Sequence, residues 1–165
     1  MLPAITRIDQ WLAAHRPDYY AQLHPGVDDT ALDAFESRFS VRLPALFREL
    51  YRWRNGQRPD YSASLQDNRM FVPLDEVAET KEMLDGMIGY DFENPRYWRR
   101  GWVPFLHNGS GSYLCIDLAA EGGGSLGQLI GFWKADEDRP VEYPSIEAWL
   151  NELADSMESG TLEVL

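Results

Sequence analysis

The sequence is poor in cysteine, in histidine and in long apolar runs. Its 165 residues include one cysteine, Cys115, and three histidines. A lone cysteine excludes an internal disulfide and a cysteine-built zinc site, and it weakly favours a reducing compartment. The histidines, His15, His24 and His107, form no HxH or HxxxH pair, so the usual pattern of a metal centre is missing. No run approaches the roughly 20 apolar residues of a membrane span.

Basic residues are also scarce, since 15 Lys and Arg face 27 Asp and Glu, for a net charge of -12. Most of the excess lies in residues 111–165, which carry two basic and eleven acidic side chains. Such a field repels phosphate backbones and attracts basic proteins. The first residues mix Arg7 and Asp9 with apolar ones, unlike a signal peptide. We expect a soluble cytoplasmic protein with a protein partner, no nucleic acid, no membrane and no cofactor.

Apolar periodicity predicts five helices. The first covers residues 3–15, and the second follows the cap at residues 28–30. The third opens at Pro44 and ends at Asn55 and Gly56, which tolerate the left-handed cap conformation. A fourth runs over residues 75–88 from Asp75, and a closing helix starts near Ser145.

Short apolar segments predict strands over residues 69–74, 102–106, 112–118 and 127–134. Asn108 and Gly109 form a strong hairpin signal between the second and third of them. Hydrophobic residues make up 44% of the chain, which suffices for one core. The order of elements predicts an α+β fold, a mostly antiparallel sheet with helices packed on it, in a single domain of residues 1–165.

The hairpin also raises the question of catalysis, because His107, Ser110 and Cys115 lie on or beside it. Strand alternation places Tyr113, Cys115 and Asp117 on one face, and a cysteine in mid-strand is most often a small buried hydrophobe. A Cys115-dependent hydrolase is therefore a remote alternative. The glycine-rich run at residues 121–127 lacks the lysine of a phosphate loop and is expected to be a flexible hairpin loop.

Four arginines on and after the third predicted helix suggest either an anion or partner site or ordinary surface charge: Arg48, Arg52, Arg54 and Arg58. Pairing with Glu49 and with the acidic C-terminal third is the more common behaviour of such residues.

Three segments in order resemble the SMI1/KNR4 family, also called the SUKH superfamily. They carry the motif residues Leu43 and Pro44, then Asn55 and Gly56, then Trp102, Pro104 and Asp117, followed by residues 127–133 and 145–153. The resemblance covers about residues 29–153 and leaves helix 3–15 as an extension. The turn departs from the family, which often has Asp-Gly where this chain has Asn108 and Gly109, and an acidic or amide residue where it has Ser112.

The resemblance implies a binding protein and not a catalyst. Many bacterial members are immunity proteins that neutralise a cognate toxin of polymorphic or contact-dependent systems, and fungal members regulate the cell wall through partner binding. An immunity protein against a basic toxin, such as a nuclease, agrees with the acidic charge. An intracellular adaptor of the same fold with no toxin partner is the alternative.

Acidic and aromatic residues are the candidates for partner binding, because charge steers association and buried aromatics anchor it. The first choices flank the last predicted strand and are Glu121, Asp136, Glu137 and Asp138. The second choices open the fourth predicted helix and are Asp75, Glu76 and Glu79. The aromatic candidates precede Trp102 and are Tyr97 and Trp98. For each acid the competing interpretation is a solubilising surface charge, and for Tyr97 and Trp98 it is a lid on the core.

Overall fold

A computed structural model describes residues 2–92, 94 and 96–165. The described residues form six helices and seven strands. The helices are α1 (Ala4–His15), α2 (Pro17–Tyr20), α3 (Asp29–Phe39), α4 (Ala45–Trp53), α5 (Leu74–Gly86) and α6 (Ile146–Ser159). The strands are β1 (Leu23–Pro25), β2 (Arg54–Gln57), β3 (Met70–Phe71), β4 (Trp102–His107), β5 (Tyr113–Asp117), β6 (Leu129–Phe132) and β7 (Val141–Tyr143). The α+β prediction is confirmed.

The main sheet has five strands in the order β3-β4-β5-β6-β7, and every neighbouring pair is antiparallel. The strands lie side by side in chain order, so each strand pairs with the next one along the chain. Strands β4 and β5 form the predicted hairpin, with Trp102 opposite Asp117 and His107 opposite Tyr113. Strands β1 and β2 form a separate antiparallel pair.

Both faces of the main sheet are covered, as the alternation in β5 requires. Leu114 and Ile116 point into the main core, where residues of helices α1, α3, α4 and α6 and the first half of α5 are packed. Cys115 points the other way, into a second cluster with Trp98, Trp102, Ile130 and Phe132. We call this the second face of the sheet; its cover is thinner than that of the first.

Ion pairs fasten α3 to α4. The Arg48 guanidinium donates to carboxylates of Asp29, Asp33 and Glu36. The hydrogen bonds to Asp33 and Asp29, together with the charge of Glu36, raise its pKa. Arg52 also donates to Asp29. Arg48 and Arg52 are thus paired, but the expected partners were wrong, since the acids lie on α3 and are neither Glu49 nor residues of the C-terminal third. Arg58 pairs with Asp60, and Arg54 donates to the Tyr20 hydroxyl.

The family motif residues Leu43 and Pro44 are held by a side chain of α3. The Leu43 N–H donates to Glu36 Oε2 at 2.6 Å, and Pro44 is the N-cap of α4. Since Glu36 also accepts from Arg48, one carboxylate fixes both the loop and the helix that follows it.

The prediction that Asn55 and Gly56 cap α4 is wrong. Helix α4 ends at Trp53, and both residues lie in β2. Asn55 Oδ1 accepts the Leu74 N–H at 2.7 Å, so it caps α5 from a distance. Gly56 has φ 69°, and a Cβ there would lie 2.3 Å from Pro73 N. The motif is needed because two segments of backbone cross there in close contact.

Other boundaries differ for local reasons. The predicted strand over residues 69–74 shrinks to β3, because Pro73 lacks an N–H and α5 begins directly after it. Strands β1, β2 and β7 and helix α2 are too short for periodicity to reveal. Among the described residues, no helix combines the length and the apolar character needed to cross a membrane.

Candidate partner-binding face

Two open grooves lie on the second face of the sheet. Pro104, Cys115 and Ile130 are directly paired across β4, β5 and β6, and His107, Tyr113 and Phe132 form a second such row. Directly paired residues share a face. One groove opens beside Trp102 and Ile130, and the other opens beside Pro104, His107 and Tyr113. Both grooves are therefore bordered by side chains of the second face of the sheet.

The first of them, which we call the loop groove, has a volume of about 510 Å³. Trp102 and Ile130 form its sheet side, and two loops and the segment before β4 supply its charged walls. Those charged residues are Arg96, Arg99, Glu121, Glu137, Asp138 and Arg139. Arg99 and Glu121 form an ion pair at 3.6 Å. The groove thus combines three guanidinium groups with three carboxylates.

One wall of the loop groove is the glycine-rich loop between β5 and β6, which the structure ties down more firmly than its composition predicts. Gln128 is buried and donates to Gly123 O and to Asp117 Oδ2, while its Oε1 accepts the Ser125 N–H. Asp117 Oδ1 accepts the N–H of Ala119 and of Ala120. Asp117, one of the motif residues of the resemblance, thus fixes the shape of this wall.

Arg139 is half-buried and is held by backbone carbonyls. Its Nε donates to Tyr97 O at 2.9 Å, and its Nη1 donates to the carbonyls of Asp136 and Asp138 at 2.7 and 2.8 Å. The guanidinium also stacks over the Phe132 ring at 4.2 Å. Burial lowers its pKa. Arg139 therefore folds the acidic loop around itself, and the described residues offer it no carboxylate within ion-pair distance.

The second groove, which we call the hairpin groove, has a volume of about 300 Å³ and lies between α5 and the β4–β5 hairpin. Glu76 and Glu79 line it from α5, and His107 and Tyr113 line it from the sheet. Burial raises the pKa of Glu76, and the neighbouring carboxylates of Asp75 and Glu79 add to the shift. A cationic side chain placed here would relieve that repulsion.

His107 makes the stability of the chain depend on pH. Its Nδ1 accepts the Gly109 N–H at 2.9 Å, and burial lowers its pKa below 6.5. The unfolded chain therefore takes up the proton first, so stability falls as the pH drops through 6.5 toward the folded pKa. Between pH 7.5 and 5, urea unfolding should show a larger loss for the wild type than for His107→Gln. Equal losses would contradict this assignment, and acid effects shared by both chains cancel in the comparison.

Cys115 is inaccessible, which removes the candidate nucleophile of the hairpin. It is 0% exposed, and burial raises the pKa of its thiol. A neutral buried thiol is a poor nucleophile. Ellman's reagent should react with native protein only on the timescale of unfolding and at once in 6 M urea, whereas a rapid reaction of native Cys115 would restore the hydrolase alternative.

The predicted binding residues separate into groups. Glu121, Glu137 and Asp138 meet at the loop groove, with Asp136 exposed beside them, and Glu76 and Glu79 meet at the hairpin groove. Asp75 lies apart, at a depression between α3 and α5.

Trp98 cannot be a surface anchor, which leaves the other interpretation, a lid on the core. It is 1% exposed, packs edge-on against Trp102 at 5.4 Å, and donates its indole N–H to Asp85 Oδ1. Tyr97 is half-buried between Phe92 and Phe132 and donates its hydroxyl to Lys134 O. Both aromatics serve as the lid of the second cluster.

Sequence reasoning missed the apolar side chains that are exposed near the loop groove. Val141 lines it and is 53% exposed, and Leu126 stands out from the glycine-rich loop. It also missed Arg139, whose signal was a single basic residue inside an acidic run. Among the described residues, no group of three or more His, Cys, Asp or Glu side chains is arranged to hold a metal ion.

Comparison with known proteins gives relatives among fungal and plant proteins. The cell wall biosynthesis/cell cycle regulator smi1 of Schizosaccharomyces pombe is 25% identical over 172 residues, which cover 90% of this chain and 34% of the relative. The F-box protein SKIP16 of Arabidopsis thaliana is 35% identical over 99 residues, 50% of this chain and 23% of the relative. The KNR4/SMI1 homolog 2 of Debaryomyces hansenii is 30% identical over 70 residues, 42% and 12%.

The chain thus spans about a third or less of the length of these relatives. The model of the SMI1/KNR4 family (SUKH-1) matches residues 26–152. This range includes every motif residue described above, from the Leu43–Pro44 turn held by Glu36 to the Asp117 that shapes the loop groove. The chain belongs to the SMI1/KNR4 family (SUKH-1).

Proposed function

We propose that this chain is a non-catalytic binding protein, and specifically an immunity protein that neutralises a basic toxin by occupying it in a one-to-one complex. The observation that carries the proposal is the joint placement of the acidic candidates. Glu76 and Glu79 at one groove and Glu121, Glu137 and Asp138 at the other lie on the same face of the sheet. Among the described residues, only Glu121 of these five has an ion-pair partner.

Unpaired carboxylates around open grooves attract a basic surface over a distance and lose that effect in salt. The acids of α3 cannot contribute in the same way, because Arg48 and Arg52 already neutralise them. Exposed Val141 supplies apolar area at the edge of the loop groove.

The test is co-expression with the products of adjacent genes. We expect one of them to be toxic alone, to be tolerated with this chain, and to co-purify with it as a complex that weakens between 50 and 500 mM salt. Growth rescue without a complex would contradict stoichiometric blocking.

Charge variants test which face of the chain meets the partner. Asp136→Asn, Glu137→Gln and Asp138→Asn together should slow association about tenfold at low salt, because long-range attraction sets that rate. The matched control changes as many exposed acids on helices of the other layer: Asp18→Asn, Glu49→Gln and Glu147→Gln. Equal effects of the two triple variants would contradict the proposed face.

A regulatory adaptor is the second candidate, because two of the relatives are named for cell wall regulation or for KNR4/SMI1. It predicts that no adjacent gene product is toxic and that deletion of the gene alters growth under cell wall stress. The immunity proposal predicts no such phenotype in cells that lack the toxin.

A further inference from the structure

Two side chains that line the loop groove, Trp102 and Arg139, each carry a buried N–H group without an acceptor. Trp102 Nε1 and Arg139 Nη2 are shielded from solvent, and no described residue accepts a hydrogen bond from either of them. Trp102 is 3% exposed, and both residues line the same groove. A buried donor left without a partner costs free energy, so two of them in one groove indicate a place where an acceptor binds.

Trp102 differs from the other buried tryptophans of this protein. Trp53 donates its indole N–H to Asp9 Oδ1, Trp98 to Asp85 Oδ1, and Trp149 to Gln66 Oε1, each at 2.8 Å. Three buried or half-buried indoles thus have carboxylate or amide acceptors supplied by the chain itself. Trp102 lacks one, although it lies in the same protein and is equally buried.

The charge of the groove selects the acceptor. Arg139 uses Nε and Nη1 on backbone carbonyls, while Nη2 has no acceptor and no described carboxylate pairs with the guanidinium. Arg96 and Arg99 add two more positive charges, whereas Glu121, Glu137 and Asp138 place negative charge on the loops. An anionic oxygen pair therefore fits beside Trp102 and Arg139, with cationic groups on either side of it.

We propose that the loop groove receives a carboxylate side chain of the partner protein, from an Asp or Glu flanked by Lys or Arg. Because both N–H groups are shielded in the free chain, binding must turn the two side chains toward the groove. One oxygen then accepts from Trp102 Nε1 and the other from Arg139 Nη2, while the flanking cations meet Glu121, Glu137 and Asp138. This inference deepens the proposed function and rests on it for the presence of a basic partner.

Nuclear magnetic resonance of the ¹⁵N-labelled chain tests the site without the partner. The spectrum has six indole N–H signals, one for each tryptophan, and Trp102→Phe assigns the relevant one by removing it. The probe is the peptide acetyl-Lys-Glu-Lys-amide, and acetyl-Lys-Gln-Lys-amide is its matched control. The signals of Trp53, Trp98 and Trp149, which already have acceptors, serve as internal references.

We expect the Trp102 signal to move saturably to higher proton shift with the glutamate peptide, while the three references stay in place. The glutamine peptide should bind at least tenfold more weakly, because the bond to Arg139 loses its charge. Arg139→Lys, which keeps the charge but loses the fork, should weaken the glutamate peptide similarly; the reference signals report whether this variant is folded.

Three results would overturn the proposal: no movement of the Trp102 signal with either peptide, equal responses to both peptides, or an equal response to inorganic phosphate, which would make the groove a general anion site. Growth rescue in the co-expression test does not depend on any of these three results. Failure of this inference is therefore distinguishable from failure of the proposed function.

Discussion

Glu142→Ala is expected to lower the free energy of unfolding by about 3 kcal/mol, because it leaves a buried guanidinium without its partner. Arg69 Nη1 and Nη2 donate to the two oxygens of Glu142, each at 2.9 Å. The Arg69 side chain is 6% exposed, and it lies over the Trp133 ring at 5.0 Å. Urea unfolding monitored by tryptophan fluorescence measures the loss.

The position of this pair explains why its loss should be large. Arg69 directly precedes β3 and Glu142 lies in β7, the two edges of the five-stranded sheet. In a flat sheet these edges would be roughly 19 Å apart, at about 4.8 Å per strand spacing. The sheet is therefore curved, and the pair joins its two edge strands over Gly131 and Trp133.

Gly131 supplies the matched test of this geometry. A Cβ on Gly131 would lie 2.1 Å from Glu142 Oε2, so Gly131→Ala must displace the carboxylate. We expect it to cost about 2 kcal/mol in the wild type and much less in the Glu142→Ala background. Asp60→Ala breaks the exposed Arg58–Asp60 pair and should cost less than about 1 kcal/mol. Additive losses at Gly131 and Glu142 would contradict the assignment.

Lys81→Met should lower the free energy of unfolding by about 3 to 5 kcal/mol. Lys81 is 0% exposed, and its ammonium donates to Asp85 Oδ1 and to the carbonyls of Arg100 and Trp102. Burial lowers its pKa. Methionine fills a similar volume but leaves the carbonyls of Arg100 and Trp102 without this donor. The Asp85 carboxylate then keeps the Trp98 indole N–H and loses the ammonium.

The control is Lys134→Met, at an exposed lysine, which should change stability by less than about 0.5 kcal/mol. Adding Asp85→Asn to Lys81→Met should cost less than Asp85→Asn alone, because the two charges are coupled. A loss below about 1 kcal/mol for Lys81→Met would show that the ammonium is dispensable. Since the Lys81 acceptors adjoin Trp102, the variant should also abolish the Trp102 response to the glutamate peptide.

The fold was largely predictable because its signals are local. Asp28 and Ser145 cap α3 and α6 as expected, and Asn108 Oδ1 accepts the N–H groups of Ser110 and Ser112 in the predicted hairpin turn. The roles of Asn55 and Gly56 were not predictable, since their contacts are made with residues 73 and 74, far along the chain.

The placement of the acids at the proposed face was predictable, whereas the burial of the aromatic candidates was not. Exposed carboxylates follow from composition and loop position, so Glu121, Glu137 and Asp138 were found. Aromatic enrichment at interfaces favoured Trp98, but only packing shows that this side chain closes the second cluster. The unpaired Trp102 N–H is a property of the three-dimensional packing around it, which no spacing in a sequence encodes.

Strand β5 has a further use, because it is shielded by clusters on both faces and by β4 and β6 on both sides. Its backbone amide protons can exchange with deuterium only when the whole fold opens. The exchange rate at Leu114 and Ile116 therefore reports global stability without denaturant, in isolation and in a complex alike. Binding of any partner to the folded chain should slow this exchange by the factor expected from the partner's concentration and affinity, so the exchange rate measures the affinity of the complex without separating its components.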